Sequence, residues 1–250
     1  MKVHMRTDIG LVRKKNEDFV SQFINLEKEH LVVVADGIGG SNGGEVASHL
    51  VVSKLGLNFS MASFKTANRI DVQQWFTEKL TQLNNEIVQK SEKDPELTAM
   101  GTTIVFAYFN QKECLIGNVG DSRAYQFKNN KLQILTDDHT FVNALYKMDE
   151  ITKEEAENHP DRHKLIRAIG IPVENNVEID YAWHNLQDGD LYLLCSDGLT
   201  NMLSDKEITD ILQKNMPTDK KADLLVDKAK EAGGRDNITL AIVENKEVSK

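Results

Sequence analysis

The segment LVVVADGIGG, residues 31–40, decides how the rest of the chain is read. Five apolar residues at 31–35 run without a polar break, as a strand buried on both faces requires. Asp36 follows at once, and Gly37, Gly39 and Gly40 end the strand abruptly. A carboxylate at a strand end is aimed by fixed backbone, and glycines beside it permit close backbone approach. The device recurs in LLCS before Asp197-Gly198 and GGR before Asp236-Asn237, and GNVG precedes Asp121 as a fourth case. One Asp-Gly after a strand reads as an ordinary turn. Four convergent carboxylates would repel one another unless cations stood among them, so the recurrence moves the reading toward a metal site. Oxygen-only ligands suit Mg²⁺ or Mn²⁺, and the absence of a Cys/His cluster argues against structural zinc.

Outward from this strand, residues 45–57 read as a helix. A second helix is expected over 71–92, where Val72, Phe76, Leu80, Leu83 and Ile87 share one face. Residues 100–109, 114–119 and 123–127 read as consecutive strands with short turns, a meander rather than βαβ units. From 140 to about 170 the pattern turns polar and helical, with Thr152 and Glu155 at capping-box spacing. LYLLCSDGL is another apolar strand, and Ser204 and Glu207 form a second capping box ahead of two helical segments ending near 232. GGRDNITLAIVE closes the pattern as a turn into a last strand. Strands outnumber the crossover helices a parallel sheet needs, so the expected class is α+β, an antiparallel β-sandwich rather than a Rossmann-type fold.

Bulk properties narrow the function classes. With 39 acidic against 30 basic residues the net charge is -9, which disfavours nucleic acid as the main partner. No stretch approaches the roughly 20 apolar residues that cross a bilayer, and MKVHMRTDIG lacks the apolar centre of a secretory signal. A cytoplasmic protein without membrane contact is expected. Cys114 and Cys195 both sit in apolar runs and read as buried, inert thiols. His139 reads as structural, and His159, His163 and His184 as surface residues.

At this point the chain resembles the bacterial type 2C (PPM) family of metal-dependent serine/threonine protein phosphatases. The resemblance rests on TDIGLVRKKNED (7–18), VVVADGIGG (32–40), MGTT (100–103), GNVGDSRAY (117–125), LLCSDGL (193–199) and GGRDNITLAIV (233–243), in family order. ITKEEAENHPDRHKLIRAIG resembles the family's flap. The resemblance implies one catalytic domain over 1–250, a four-layer α/β/β/α sandwich with a flap subdomain at about 140–175.

It also implies roles. Asp36, Asp197 and Asp236 would ligate two ions, Mn²⁺ or Mg²⁺, with Asp36 bridging them and the Gly37 carbonyl completing a shell. Asp121 would help hold a third, weaker ion. Glu17 and Asp18 would stand behind the ligands and orient water on the ions, with Asn237 grouped beside them, and Arg13 would grip the substrate phosphate with its planar fork of donors. A hydroxide between the two ions would attack phosphorus, so no cysteine or histidine nucleophile is needed. Phosphorylated proteins are the implied substrates, a serine/threonine kinase and its targets the implied partners, and a monomer the expected state. Ile38 stands where many eukaryotic members carry a histidine proposed to protonate the leaving group. That task would fall to water on an ion, with the Asp121 ion as candidate.

Rival chemistries leave no trace. No Cys-x₅-Arg follows either cysteine, and no Asp-x-Asp-x-Thr/Val run supports an aspartyl-phosphate enzyme. GIGGSNGG fails the dinucleotide-binding spacing. A scaffold with a degenerate site would lack the metal aspartates, which are all present. A small-molecule phosphomonoesterase stays open as the nearer alternative.

Overall fold

The computed structural model describes residues 1–39 and 43–245, so Gly40 and the Ser41-Asn42 part of the glycine-rich turn lie outside the described residues. In chain order the strands are β1 (Lys2–Asp8), β2 (Asp18–Ile24), β3 (His30–Ile38), β4 (Gly101–Thr102), β5 (Ile104–Phe109) and β6 (Glu113–Val119). They continue with β7 (Arg123–Lys128), β8 (Lys131–Ile134), β9 (Asp180–Asn185), β10 (Leu191–Cys195) and β11 (Ile238–Glu244). The helices are α1 (Gly43–Ser60), α2 (Arg69–Lys93), α3 (Phe141–Lys147), α4 (Lys153–Glu157), α5 (Asp197–Thr200), α6 (Asp205–Leu212) and α7 (Thr218–Glu231).

Two antiparallel sheets result, one ordered β1-β11-β10-β7-β8 and the other β2-β3-β5-β6-β9, with β4 attached to β3. The alternation of β3 shows why they stack. Leu31, Val33 and Ala35 face α1 and α2, while Val32 and Val34 face the opposite sheet. In β11, Ile238, Leu240 and Ile242 face α6 and α7, and Ala241 and Val243 fill the space between the sheets. Each of these two central strands therefore buries both faces, and the layers run helices, sheet, sheet, helices. On the α2 side Phe76 stacks on Phe106 at 4.4 Å between ring centroids, inside a cluster with Phe64, Trp75 and Tyr108.

The helix expectations are met closely. Both expected capping boxes form, at Thr152/Glu155 and Ser204/Glu207, and an unforeseen one at Asn68/Asp71 opens α2. The strand expected over 100–109 is interrupted at Thr103, whose backbone N–H donates to the carbonyl of Asp36 at 2.8 Å. Strands β1, β8 and β9 had no clear sequence signal. All three sit at sheet edges, where burial is partial and the alternation is weak. The segment around 140–175 holds only the short helices α3 and α4 among turns. Both cysteines are buried, and burial pushes the Cys195 thiol up to about 12, consistent with inert thiols. Among the described residues no helix is long and apolar enough to cross a membrane.

Candidate metal centre and active site

Three strand ends and two loops meet at one rim of the sandwich. Asp36 is paired in register with Asp18 across β2 and β3. Thr103 holds it from the other side: the Asp36 N–H donates to Thr103 Oγ1 at 3.0 Å, and the Asp36 carbonyl accepts from Thr102 Oγ1 at 2.8 Å. The Thr103 hydroxyl also meets Ser122 Oγ at 2.7 Å, which ties the β3 end to the turn carrying Asp121. That turn needs Gly120, with φ +111°, because a Cβ there would lie 2.6 Å from Thr103 Cγ2.

Asp197 begins α5 directly after β10, and Asp236 precedes β11. These two elements touch: a Cβ on Gly198 would stand 1.9 Å from the Asn237 carbonyl oxygen. Gly37 is equally confined, 2.2 Å from the Gly44 carbonyl oxygen on the same construction. The two Asp-Gly pairs thus let helix and strand backbones approach.

The loop between β1 and β2 is fastened from below. Asn237 Oδ1 accepts from the Glu17 N–H at 2.9 Å, and Asn237 Nδ2 donates to the carbonyls of Ile9 and Lys15 at 3.0 and 2.9 Å. The loop carries Arg13, whose Nη2 reaches Asp236 Oδ2 at 2.6 Å. Asp18 lies behind the rim, buried, and accepts from Ser196 Oγ at 2.7 Å.

A cavity of about 560 Å³ opens here, lined by Arg13, Glu17, Asp36, Gly37, Asp121, Asp197, Asp236 and Asn237 together with Arg162, His163 and Arg235. Every sequence-derived site residue except Asp18 therefore lines one space. Size does not single it out, since a cavity of about 600 Å³ lies among Lys2, Lys128, Lys214 and the start of α7. The carboxylates do. Asp36 is raised well above the usual range, first by burial and then by the charges of Asp18, Asp197, Asp121 and Asp236. Burial, then Asp197, pushes Asp121 up to about 8. Burial also raises Asp197, with the charge of Asp236 adding, and raises Asp18 to about 7.

Donor chemistry fits hard divalent cations. Apart from the cations of Arg13, Arg162 and Arg235, the polar lining is dominated by oxygen donors: carboxylates and the Gly37 backbone. Asp197 Oδ1, buried at the cavity, has no hydrogen-bond partner, a costly condition that a cation in the cavity would relieve; Asp18 Oδ1, behind the rim, is also without one. Among the described residues no three His, Cys, Asp or Glu side chains stand as a closed ligand cage. The carboxylates ring the space rather than meeting at a point.

Three cationic or titratable lining residues had no site role in the sequence reading. Arg162 and Arg235 lie inside quoted segments but carried no signal of their own. His163 is exposed, as expected, but it also lines the cavity, with its Nδ1 4.0 Å from Asp197 Oδ2. His139 is buried and structural: its Nδ1 accepts from the Gly120 N–H at 3.1 Å, and its Nε2 stands 3.1 Å from Asp180 Oδ2.

The chain matches the family described as Protein phosphatase 2C over residues 12–228. It is 42% identical over 245 residues to the serine/threonine phosphatase stp of Listeria welshimeri, covering 98% of this chain and 96% of that one. It is 35% identical over 247 residues to the protein phosphatase PhpP of Streptococcus pneumoniae, covering 99% and 98%. Among solved structures, the serine/threonine phosphatase of S. agalactiae superposes with a TM-score of 0.92 at 34% identity, over 98% of this chain and 99% of that one. The catalytic domain of the serine threonine protein phosphatase PstP, in complex with 2 manganese ions, superposes at 0.80 with 33% identity, over 98% of each.

Proposed function

Since the chain belongs to the protein phosphatase 2C family and is a serine/threonine protein phosphatase, we propose that Asp36, the Gly37 carbonyl, Asp197 and Asp236 hold two divalent ions, Mn²⁺ or Mg²⁺, for phosphomonoester hydrolysis. The observation that carries this reading is the convergence of these aspartates and Arg13 on one cavity. Ions held there would supply positive charge for the phosphoryl oxygens and would lower the pKa of water in the cavity, the chemistry that hydrolysis of a seryl or threonyl phosphate calls for.

The chain's own residues do the rest. Arg13 presents its fork of donors at the cavity, and its bond to Asp236 keeps it there until a phosphate arrives. Asn237 holds the loop that carries both Arg13 and Glu17. Asp18 and Ser196 brace the strand ends beneath the ligands. Asp121 would take part in holding a third ion, and its link through Ser122 and Thr103 fixes it relative to Asp36. Ile38 lines the cavity and has no proton to give, so leaving-group protonation is assigned to solvent in the cavity. Residues 1–250 are read as one catalytic unit, with a flap at about 140–175 that brings Arg162 and His163 to the cavity. Phosphoproteins phosphorylated by a serine/threonine kinase are the proposed substrates.

The test is phosphate release from a phosphothreonine peptide by protein stripped of metal and then resupplied with Mn²⁺, beside an Asp197→Asn variant. Activity should return with metal and be lost in the variant. No release by folded protein at any Mn²⁺ concentration would overturn the reading.

A further inference from the structure

Two cations in the cavity are not committed to anything. Arg13 is bonded to Asp236, but among the described residues neither Arg162 nor Arg235 has an ion-pair partner, although both line the same space. Arg235 is the better anchored. Its backbone follows Gly233 and Gly234, at φ +131° and +49°, which turn the chain sharply out of α7. The Gly234 N–H donates to the Ala229 carbonyl at 3.0 Å, and the Gly234 carbonyl accepts from the Leu11 N–H at 2.7 Å. The residue therefore has a rigid backbone and an exposed side chain that lines the cavity. A guanidinium based here offers a planar fork of donors that suits a carboxylate. With the phosphate directed to Arg13, the group left for Arg235 is an anion one residue or so away on the same polypeptide.

We propose that Arg235 reads an acidic residue flanking the phosphorylated one in the substrate protein, with Arg162 adding charge of the same sign from the flap. This rests on the phosphatase reading above and names the class of phosphosite the enzyme prefers.

Three phosphothreonine peptides that differ only in flanking residues, Glu, Gln or Lys, provide the test, with kcat/KM measured at low and at moderate salt. Wild-type enzyme should favour the Glu peptide over the Lys peptide by about two- to fivefold, the range of a partly exposed ion pair. The preference should shrink as salt rises. Arg235→Gln should flatten it, and Arg235→Glu should invert it in favour of the Lys peptide. Structural damage lowers all three values together and does not reverse their order. Equal kcat/KM for the three peptides, or an unchanged order in Arg235→Glu, overturns this inference alone. No release from any of them would overturn the phosphatase reading and this inference with it.

Discussion

Asn237 is a single side chain that fastens the loop carrying Arg13, and replacing it with alanine isolates that dependence. The side chain is 5% exposed and makes three bonds to the backbone of residues 9–17: one accepted from Glu17, two donated to Ile9 and Lys15. A net loss of about 0.5–1.5 kcal/mol per bond places the cost at roughly 2–4 kcal/mol. The upper end is reached only if the freed groups stay dry. Water should reach part of the loop, whose Leu11 and Val12 are 63% and 65% exposed. At roughly 2–4 °C per kcal/mol for a chain of this size, melting should fall by about 4–16 °C. The loop also carries Arg13, so KM for a phosphothreonine peptide should rise while the Mn²⁺-binding isotherm changes less. Differential scanning calorimetry, steady-state kinetics and titration calorimetry read these three quantities. A variant that melts within 2 °C of wild type with unchanged KM would refute the view that Asn237 holds the loop.

Three further outcomes are expected. Metal-free Asp121→Asn should be more stable than metal-free wild type at pH 8, with the difference fading toward pH 4. The folded-state pKa of Asp121 is raised, so the native protein binds the extra proton and loses stability as pH rises from about 4 to about 8, a loss asparagine cannot suffer. A constant difference across that range, seen in thermal melts with chelator, would show that burial does not act as described. Gly198→Ala should separate α5 from the start of β11, because its Cβ meets the Asn237 carbonyl oxygen at 1.9 Å, and should weaken Mn²⁺ binding at least tenfold by calorimetry; retained affinity would mean that this close approach is dispensable. Phe76→Ala should destabilise by about 3–5 kcal/mol in urea unfolding by emptying the aromatic cluster on Phe106. A loss under 1 kcal/mol would mean the cluster closes over the gap.

Much of the architecture was legible because its central strands bury both faces. Residues 31–35 and 191–195 are uninterrupted apolar runs, and 238–243 is broken only by Thr239; such runs pack as interior strands between layers. The helices announced themselves by period and by cap. Edge strands did not. Lys2–Asp8 reads as polar because one side of it faces solvent, and only its pairing with β11 makes it a strand. Thr103 shows the same limit from inside a strong pattern, where apolar continuity pointed to one strand and a hydrogen bond to Asp36 divided it.

The sequence by itself determined the strand ends, the aspartates placed on them, and the residue types able to hold hard cations. These follow from local pattern and side-chain chemistry, which near neighbours along the chain express. Only tertiary structure decided that Asp36, Asp121, Asp197 and Asp236, up to 200 positions apart, share a cavity, and that Arg162, His163 and Arg235 complete it. It alone raised the carboxyl pKa values, because burial and mutual repulsion are properties of groups brought together in space. A charge in a sequence has no neighbours but those beside it in the chain, whereas a charge in a fold takes its energy from whatever the packed layers place around it.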